Sequence, residues 1–488
     1  MLISNDGIFV VLTIQECYYF LTGNFLYMSL RQFIASRKFL RPFQFIKDTA
    51  TLGWNEVASI FGMHDDVFYN PGHIKIEKPV TAILIGVGHR GSIYADYAIK
   101  NPGELTIVAV ADINPERRKK AASLYKLSQD CCFKDWKEVF SKEKFADAVI
   151  IATPDQLHTQ PCLAALDACY DILLEKPIAT TEAECRLILQ KAIETNRIVG
   201  VCHVLRYSPY FRELKEVIDA GLIGDIISVQ HMEPIEHIHM SHSYVRGKWR
   251  NSKNAAPIIL AKSSHDTDII RWLVNSPVHD VHCFGNLRWF TNRNAPEGST
   301  ERCTDGCKVE GTCPYSALQI YYRDRKRLYV FDLPADESRW DEKIIEQLKT
   351  TDYGRCVYRM DNDQPDHLTV NMLFENGVTA AFSMEAHVSY EGRRTRIMGS
   401  KGDIMGDMET FIMTDFQTRK QTSWSLVTDT HGGGDHRLMK DWVQAVYQQN
   451  KDLLSSSIEV SVESHLMAFG AERSRQNRTI EDIRLSVQ

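Results

Sequence analysis

The stretch Ile83-Leu84-Ile85-Gly86-Val87-Gly88-His89-Arg90-Gly91 sets a G-x-G-x-x-G turn directly after an apolar run. Glycines at that spacing permit a tight turn, close approach of a pyrophosphate and close packing of the following helix on the strand. On this reading Gly86, Gly88 and Gly91, with His89 and Arg90 between them, form a dinucleotide-binding loop. The free N–H groups and positive dipole end of the helix face the phosphates. Context strengthens the motif: the next apolar run, 105–111, ends in Asp112, twenty-four residues after Gly88. A carboxylate there can accept both ribose hydroxyls of the adenosine and repels a 2′-phosphate, which favours NAD. Arg117 and Arg118 keep NADP open as a cofactor. The competing role for Asp112 is to cap the helix that begins at Pro115.

Around this loop the pattern predicts strands over 81–87, 105–111, 148–152, 171–174 and 198–203, separated by helices over 92–99, 115–125, 160–168 and 182–195. Short β-branched runs alternating with helices describe a parallel sheet covered on both faces, an α/β Rossmann domain over 78–205. After Tyr207 the texture changes to a helix over 210–220, ended by Gly221, and to longer alternating strands over 226–233, 367–374 and 379–385. Period-two alternation predicts an α+β domain over 206–488 with a large, open, mostly antiparallel sheet and helices on one face. The cysteine-bearing stretch 292–313 reads as a surface excursion, and 431–434 as a flexible loop before a C-terminal helix starting near Asp435. Residues 1–76, with Tyr18, Tyr19, Phe20 and Phe25 ahead of a basic stretch 31–41, form an extension of unknown role. It is either a family-specific extension or a gene-model artefact preceding a natural start at Met63.

Composition narrows the partners. The chain has 488 residues, 44% hydrophobic and 25% charged, with a formal net charge of −6. That balance belongs to a globular protein without the broad basic surface that nucleic acid requires, so the expected partner is a small molecule. Twelve cysteines, two of them adjacent at Cys131 and Cys132, suggest reduced thiols in the cytoplasm. The apolar run 8–14 is too short to cross a bilayer and has no Lys or Arg before it, so neither a transmembrane helix nor a signal peptide is expected.

Further motifs make the chain resemble the glucose–fructose oxidoreductase / inositol dehydrogenase family, Gfo/Idh/MocA, from about Val80 to the C-terminus. They are Ala152-Thr153-Pro154-Asp155-Gln156-Leu157-His158, then Glu175-Lys176-Pro177, then Gly221-Leu222-Ile223-Gly224-Asp225, and His265-Asp266-Thr267-Asp268 before Ile269-Ile270-Arg271-Trp272-Leu273. The resemblance implies that Thr153, Pro154, His158 and Glu175 belong to the cofactor site. It also implies that Lys176 lies beside the nicotinamide and substrate, on a turn fixed by Pro177. An ammonium there can bond the hydroxyl being oxidised and, if burial lowers its pKa, take its proton. The bland alternative is a solvated surface lysine. His265 matches the family's active-site histidine, whose ordinary alternative is a packed helix residue. Many members carry an aspartate four residues earlier; this chain has Ala261 there, followed by Lys262.

Weaker candidates for substrate contacts are His203, Arg206 and Tyr207 after the last strand of the first domain, and Trp249 and Arg250, with Tyr244, in a polar-aromatic segment suited to a sugar ring. Each serves equally well as a structural residue. His231, His237, His239 and His242 alternate as on one strand face, but the resemblance implies no metal there. Cys303, Cys307 and Cys313 form C-x3-C-x5-C, wider at its start than many zinc ribbons, with Cys356 a distant fourth thiol. No metal site is predicted. The leading expectation is an NAD-dependent oxidoreductase transferring hydride to or from a hydroxyl-bearing carbon of a sugar, cyclitol or related polyol. The alternatives are NAD-dependent, redox-assisted glycoside cleavage and a non-catalytic dinucleotide sensor. A homo-oligomer is expected, since the open sheet offers a broad face to a second copy.

Overall fold

The structure is a computed structural model that describes residues 2–5, 8–11, 72–253, 255–426 and 433–484. Contacts divide the chain into two compact units, 1–66 and 67–488. In the first, strands Leu2–Asn5 and Ile8–Val11 pair as an antiparallel hairpin. The aromatic cluster 18–25, the basic stretch 31–41, Met63 and positions 431 and 432 of the expected loop lie outside the described residues.

The second unit contains two sheets. The first is fully parallel and six-stranded, ordered Cys132–Phe133, Leu105–Ala111, Val80–Ile85, Ala148–Ile151, Asp171–Leu174, Val199–Val201. This is the doubly wound order expected of a dinucleotide-binding fold, with the strand order reversing beside Val80–Ile85. Strands Ala148–Ile151 and Asp171–Leu174 are buried at every position, as helices on both faces require. Sequence reading missed the two-residue edge strand and the short helix Trp136–Phe140 beside it, because neither is long enough to show a period.

The second sheet has nine strands, from Gln421–Ser425 at one edge to Glu481–Asp482 at the other. All neighbours are antiparallel except Thr379–Val388 with Ile226–Glu236, which run parallel. In His367–Phe374 burial alternates residue by residue, so one face packs on helices and the other is open.

Two C-terminal helices tie the sheets together. Gly434–Gln448 returns to the parallel sheet, where Leu438, Met439, Trp442 and Val443 join the core of Val80, Leu84, Tyr94 and Leu105. The Trp442 indole also donates to the Ile172 carbonyl at 3.1 Å. Helix Ile458–Asn477 places Val462 and Leu466 in the core with Ile172 and Val201, and Met467, Ala468 and Ala471 in the core of the larger sheet. The excursion beginning near residue 292 continues through a helix, Trp340–Thr350, that sequence reading did not anticipate. It has a core of its own around Ile320, Tyr321, Phe331, Ile344 and Leu348. No helix among the described residues is long and apolar enough to cross a membrane.

Candidate active site

The three glycines of the loop differ in what surrounds them. Gly86 has φ +90°, and a Cβ there would stand 2.5 Å from the Ala152 carbonyl oxygen. Gly91 lies in the first turn of helix His89–Lys100, where a Cβ would collide with the Gly86 carbonyl. Gly88 has nothing within 4 Å of its Cβ position, and no side chain caps the helix that starts after it. Tight packing at the first and third glycines, with open space and uncapped N–H groups at the second, fits a pyrophosphate against this turn. Gly88→Ala is therefore expected to leave the melting temperature unchanged while weakening NAD binding by about 10-fold to 100-fold, or ~1–3 kcal/mol. Gly91→Ala is expected to lose ~1–3 kcal/mol of stability through overpacking. Calorimetric melting beside NAD titration checks both, and equal effects of the two variants would sink the distinction.

The Asp112 carboxylate accepts the Val87 N–H at 2.8 Å through Oδ2 and the Asn114 N–H at 2.8 Å through Oδ1. It thereby ties the glycine turn to the neighbouring strand. Helix Pro115–Tyr125 is capped by Asn114, whose side chain accepts from Glu116 and Arg117, so capping is not the role of Asp112. The Arg117 guanidinium lies 3.9 Å from Asp112 and is more than half exposed.

The turn after strand Asp171–Leu174 carries Glu175 and Lys176, joined to Pro177 by a cis peptide. The Glu175 carboxylate is buried and accepts from Arg90 Nε at 2.9 Å, from the Tyr94 hydroxyl at 3.1 Å and from the Lys176 N–H. Arg90 also pairs with Asp435 at the start of the returning helix, so it clamps three segments together beneath the loop. His158 is fully buried, with Nδ1 2.7 Å from the Pro177 carbonyl and Nε2 2.8 Å from the Thr153 carbonyl. Its ring fixes the two loops to each other, while the Thr153 hydroxyl donates to the Leu157 carbonyl at 3.0 Å and Pro154 starts the turn Asp155–Leu157.

Lys176 Nζ donates to the Ala261 carbonyl at 2.9 Å. Where the resemblance leads one to look for a carboxylate, a main-chain oxygen of the same residue receives the lysine. Burial lowers the Lys176 pKa against the raising pull of Glu175 and Asp155, and the charges of Lys262 and Arg90 add to the lowering. His265 is buried four residues further along, in helix Ser264–Val274. Its ring meets the buried His203 edge-on at 6.2 Å between centroids, and His203 meets His465 at 5.5 Å. Burial, reinforced by the charges of Arg206 and Lys176, holds His203 well below the ordinary histidine value. His465 is settled as a neutral imidazole: Nε2 accepts the Ile178 N–H, and Nδ1 donates to the Ser461 carbonyl.

Lys262 and Asp266, on either side of His265, join a chain of charges whose other members, Glu233 and Arg393, no motif announced. Lys262 pairs with Glu233 at 2.9 Å, Glu233 with Arg393 at 2.8 Å, and Arg393 with Asp266 at 2.6 Å. His231 bridges Asp266 and Thr395. Burial works to raise the Asp266 carboxyl, but Arg393 and His231 overcome it and hold it at about 2. Lys262 is thus occupied by a carboxylate of its own domain.

Several candidates stand elsewhere than expected. Arg206 and Tyr207 are buried in the frame and do not line a cleft. Arg206 grips Asp268 with two nitrogens at 2.6 and 2.7 Å, and the Tyr207 hydroxyl bonds the Ser456 hydroxyl at 2.9 Å. Arg250 is engaged by Asp361 at 2.8 Å and Asp352 at 3.0 Å, and Trp249 packs against the core of the larger sheet. The four histidines do not share a strand face: only His231 is on the strand, His237 and His239 lie on the turn His237–Met240, and His242 follows it. The excursion brings unforeseen residues to this region. Arg327 and His239 both meet Glu391, at 3.3 and 2.6 Å, and the Tyr329 hydroxyl meets His242 Nε2 at 3.2 Å. These contacts join segments more than sixty residues apart, and spacing carries no trace of them.

A model of an oxidoreductase family with an NAD-binding Rossmann fold matches residues 80–203, and the model of that family's C-terminal α/β domain matches 215–481. The chain is 25% identical to a putative oxidoreductase, YteT, of Bacillus subtilis, over 60% of this chain and 71% of that protein. It is 26% identical to inositol 2-dehydrogenase 1 of Saccharopolyspora erythraea over 40% of this chain; the match spans 56% of that relative's length. Among solved structures, an Agrobacterium radiobacter oxidoreductase in complex with NAD+, L-tartaric acid and magnesium superposes with a TM-score of 0.60 at 16% identity. That match covers 83% of this chain and 99% of the other. A levoglucosan dehydrogenase in complex with NADH and levoglucosan superposes with the same score and identity over 83% and 100%. At such identities these structures show the fold.

Proposed function

Since this chain belongs to the Gfo/Idh/MocA oxidoreductase family, with its NAD-binding Rossmann domain, we propose that it transfers hydride between NAD and a hydroxyl-bearing carbon of a cyclitol, sugar or related polyol. The observation that carries this reading is the Lys176 amine, its proton affinity lowered and its Nζ aimed at the main chain beside His265. The inositol 2-dehydrogenase relatives support the substrate class.

The nicotinamide, when bound, supplies the two-electron chemistry. Gly86, Gly88 and Gly91 shape the loop that would hold its pyrophosphate, and Asp112 braces that loop. Lys176 Nζ bonds the substrate hydroxyl and takes its proton as the carbon is oxidised. Ala261 sets the direction of Nζ, and Glu175 with Arg90 holds the turn below it. His265 bonds a neighbouring hydroxyl and passes the proton outward. The domain limits 78–205 and 206–488 remain our division of labour between cofactor and substrate, with helix Gly434–Gln448 packed back on the first sheet. We further propose pairing with a second copy through the open sheet face, where Phe284, Leu373, Met405 and Ile412 are exposed.

The test is a panel of inositols, sugars and sugar acids with NAD and with NADP, followed by the ultraviolet absorbance of the reduced nicotinamide. Steady reduction of NAD by at least one polyol is the expected result. Cleavage of an aryl glycoside without net NADH, or NAD binding with no turnover on any substrate, would overturn it.

A further inference from the structure

One aromatic ring of the excursion is held in place and left open. Tyr329 is 75% exposed, yet its hydroxyl meets Nε2 of the buried His242 at 3.2 Å and its ring meets that imidazole edge-on at 5.6 Å. His242 is fixed in turn by the Tyr321 hydroxyl at 2.8 Å and by stacking on Tyr353 at 5.2 Å. The turn Leu328–Val330 starts from Arg327 in the left-handed region, φ 56°, and ends on Phe331, in the excursion's own core. A left-handed backbone is uncommon outside glycine and persists where the surrounding packing holds it. Tyr329 therefore offers a flat apolar face whose orientation is set before any ligand arrives.

Polar groups continue from that face toward Lys176. Arg327 spends Nη2 on Glu391 at 3.3 Å and on Glu236 at 3.8 Å, which leaves Nε and Nη1 to donate elsewhere. Both contacts of Glu391, from Arg327 and from His239 Nδ1 at 2.6 Å, fall on Oε1; the side chain is half exposed, so Oε2 is open to a hydroxyl. Two residues further, Arg393 enters the network of Glu233, Asp266 and Lys262. Lys262 follows Ala261, whose carbonyl receives Lys176. Tyr244 spans the two ends: its ring lies 6.2 Å from His239, and its pKa is raised first by burial, then by Glu233, by Asp155 of the first domain, by Asp266 and by Tyr329.

The charges decide what kind of ligand fits. Burial lowers the His239 pKa and keeps the ring neutral. The cations Lys262, Arg327 and Arg393 then face Glu233, Glu236, Glu391 and Asp266, one carboxylate in excess. A phosphate or carboxylate entering here is repelled, and a neutral polyhydroxyl ring is not.

We propose that Tyr329, Arg327 and Glu391 form a second sugar subsite, so that the substrate is a neutral disaccharide or glycosylated cyclitol. Its far ring stacks on Tyr329 while its near ring is oxidised at Lys176. An aromatic face with a few convergent polar groups is the makeup of a ligand site. The C–H face of a sugar packs on the ring, and its hydroxyls take the guanidinium and the carboxylate. Binding energy from the far ring is used at the reacting carbon, so a one-ring substrate loses kcat as well as affinity. This inference rests on the polyol oxidoreductase reading above and adds the size and charge of the substrate.

The experiment follows NADH formation by the full chain with glucose, galactose and myo-inositol against maltose, cellobiose, lactose and galactinol, with uronic and phosphorylated sugars alongside. At least one neutral two-ring compound should exceed every one-ring compound by about 10-fold or more in kcat/KM. Tyr329→Ala should cut that ratio by about 10-fold, and Tyr329→Phe, which keeps the ring, should hold it within about threefold. Calorimetric titration of the same compounds into the NADH-loaded chain reads the subsite without turnover: two-ring compounds bind tighter, and Tyr329→Ala removes the difference. No NAD reduction by any compound, with that difference still present, would end the oxidoreductase reading and keep the subsite. One-ring compounds turned over and bound as well as two-ring ones, a ratio unchanged in Tyr329→Ala, or a preference for a phosphorylated or uronic sugar would each overturn the subsite.

Discussion

Lys176→Met is expected to lower kcat by about 10²–10⁴-fold, the range for loss of a positioned proton-transfer group. NAD affinity should stay within about threefold, since the glycine loop and the Arg90–Glu175 clamp do not depend on Nζ. The pH profile distinguishes this role from a structural one. A lysine whose pKa lies below 10.5, the ordinary value, becomes a free amine at lower pH than usual. Acting as the base, it makes activity rise with pH through that lowered pKa, so activity falls away on the acid side as the amine is protonated. Lys176→Arg retains a positive charge across the whole range and should lose this rising limb along with turnover. Turnover by the Met variant within about threefold of wild type, with the limb intact, would remove Lys176 from the chemistry.

Arg206→Ala carries the largest expected effect on stability. It strands the Asp268 carboxylate, 1% exposed, without the guanidinium that now takes both its oxygens. Breaking a buried pair from one side costs about 3–5 kcal/mol. Urea unfolding should show that loss, and Arg206→Lys should recover little of it because an ammonium cannot make the two-pronged contact. Had Arg206 been a substrate ligand, as its position after the last Rossmann strand suggested, the pattern would reverse, with a raised KM and an unchanged midpoint. Unfolding and kinetics on the same preparation decide between them.

The Arg206 case shows how far position along the chain can be trusted. Fold class and the glycine turn were legible because their causes are local. A β-branched run followed by G-x-G-x-x-G needs no distant partner to make a strand, a turn and a helix start, and the resulting positions 86, 88 and 91 differ in their surroundings as that geometry requires. Helices Pro115–Tyr125 and Glu182–Thr195 and strands Leu105–Ala111 and His367–Phe374 have the limits their periodicity predicts. The family motifs name Lys176 and His265, and each sits at the end of one element, strand Asp171–Leu174 and helix Ser264–Val274.

What a side chain spends its polar atoms on was not legible. Asp112 is suited by type to a ribose, and its oxygens also brace the loop beside it. Nothing in the spacing of Lys262 announces its pairing with Glu233. The expected surface excursion ended at 313, and the apolar residues beyond it, among them Ile320, Phe331 and Leu348, find one another only in three dimensions. The sequence by itself determined the two-sheet plan and the glycine turn, because short-range backbone sterics and alternation write those directly, while Lys176 was singled out only by the family resemblance. Only the tertiary structure decided which charges are already paired, which oxygen receives Lys176 and which thiols share a cavity. Those depend on through-space contacts between residues as far apart as Lys176 and Ala261, or Cys303 and Cys356.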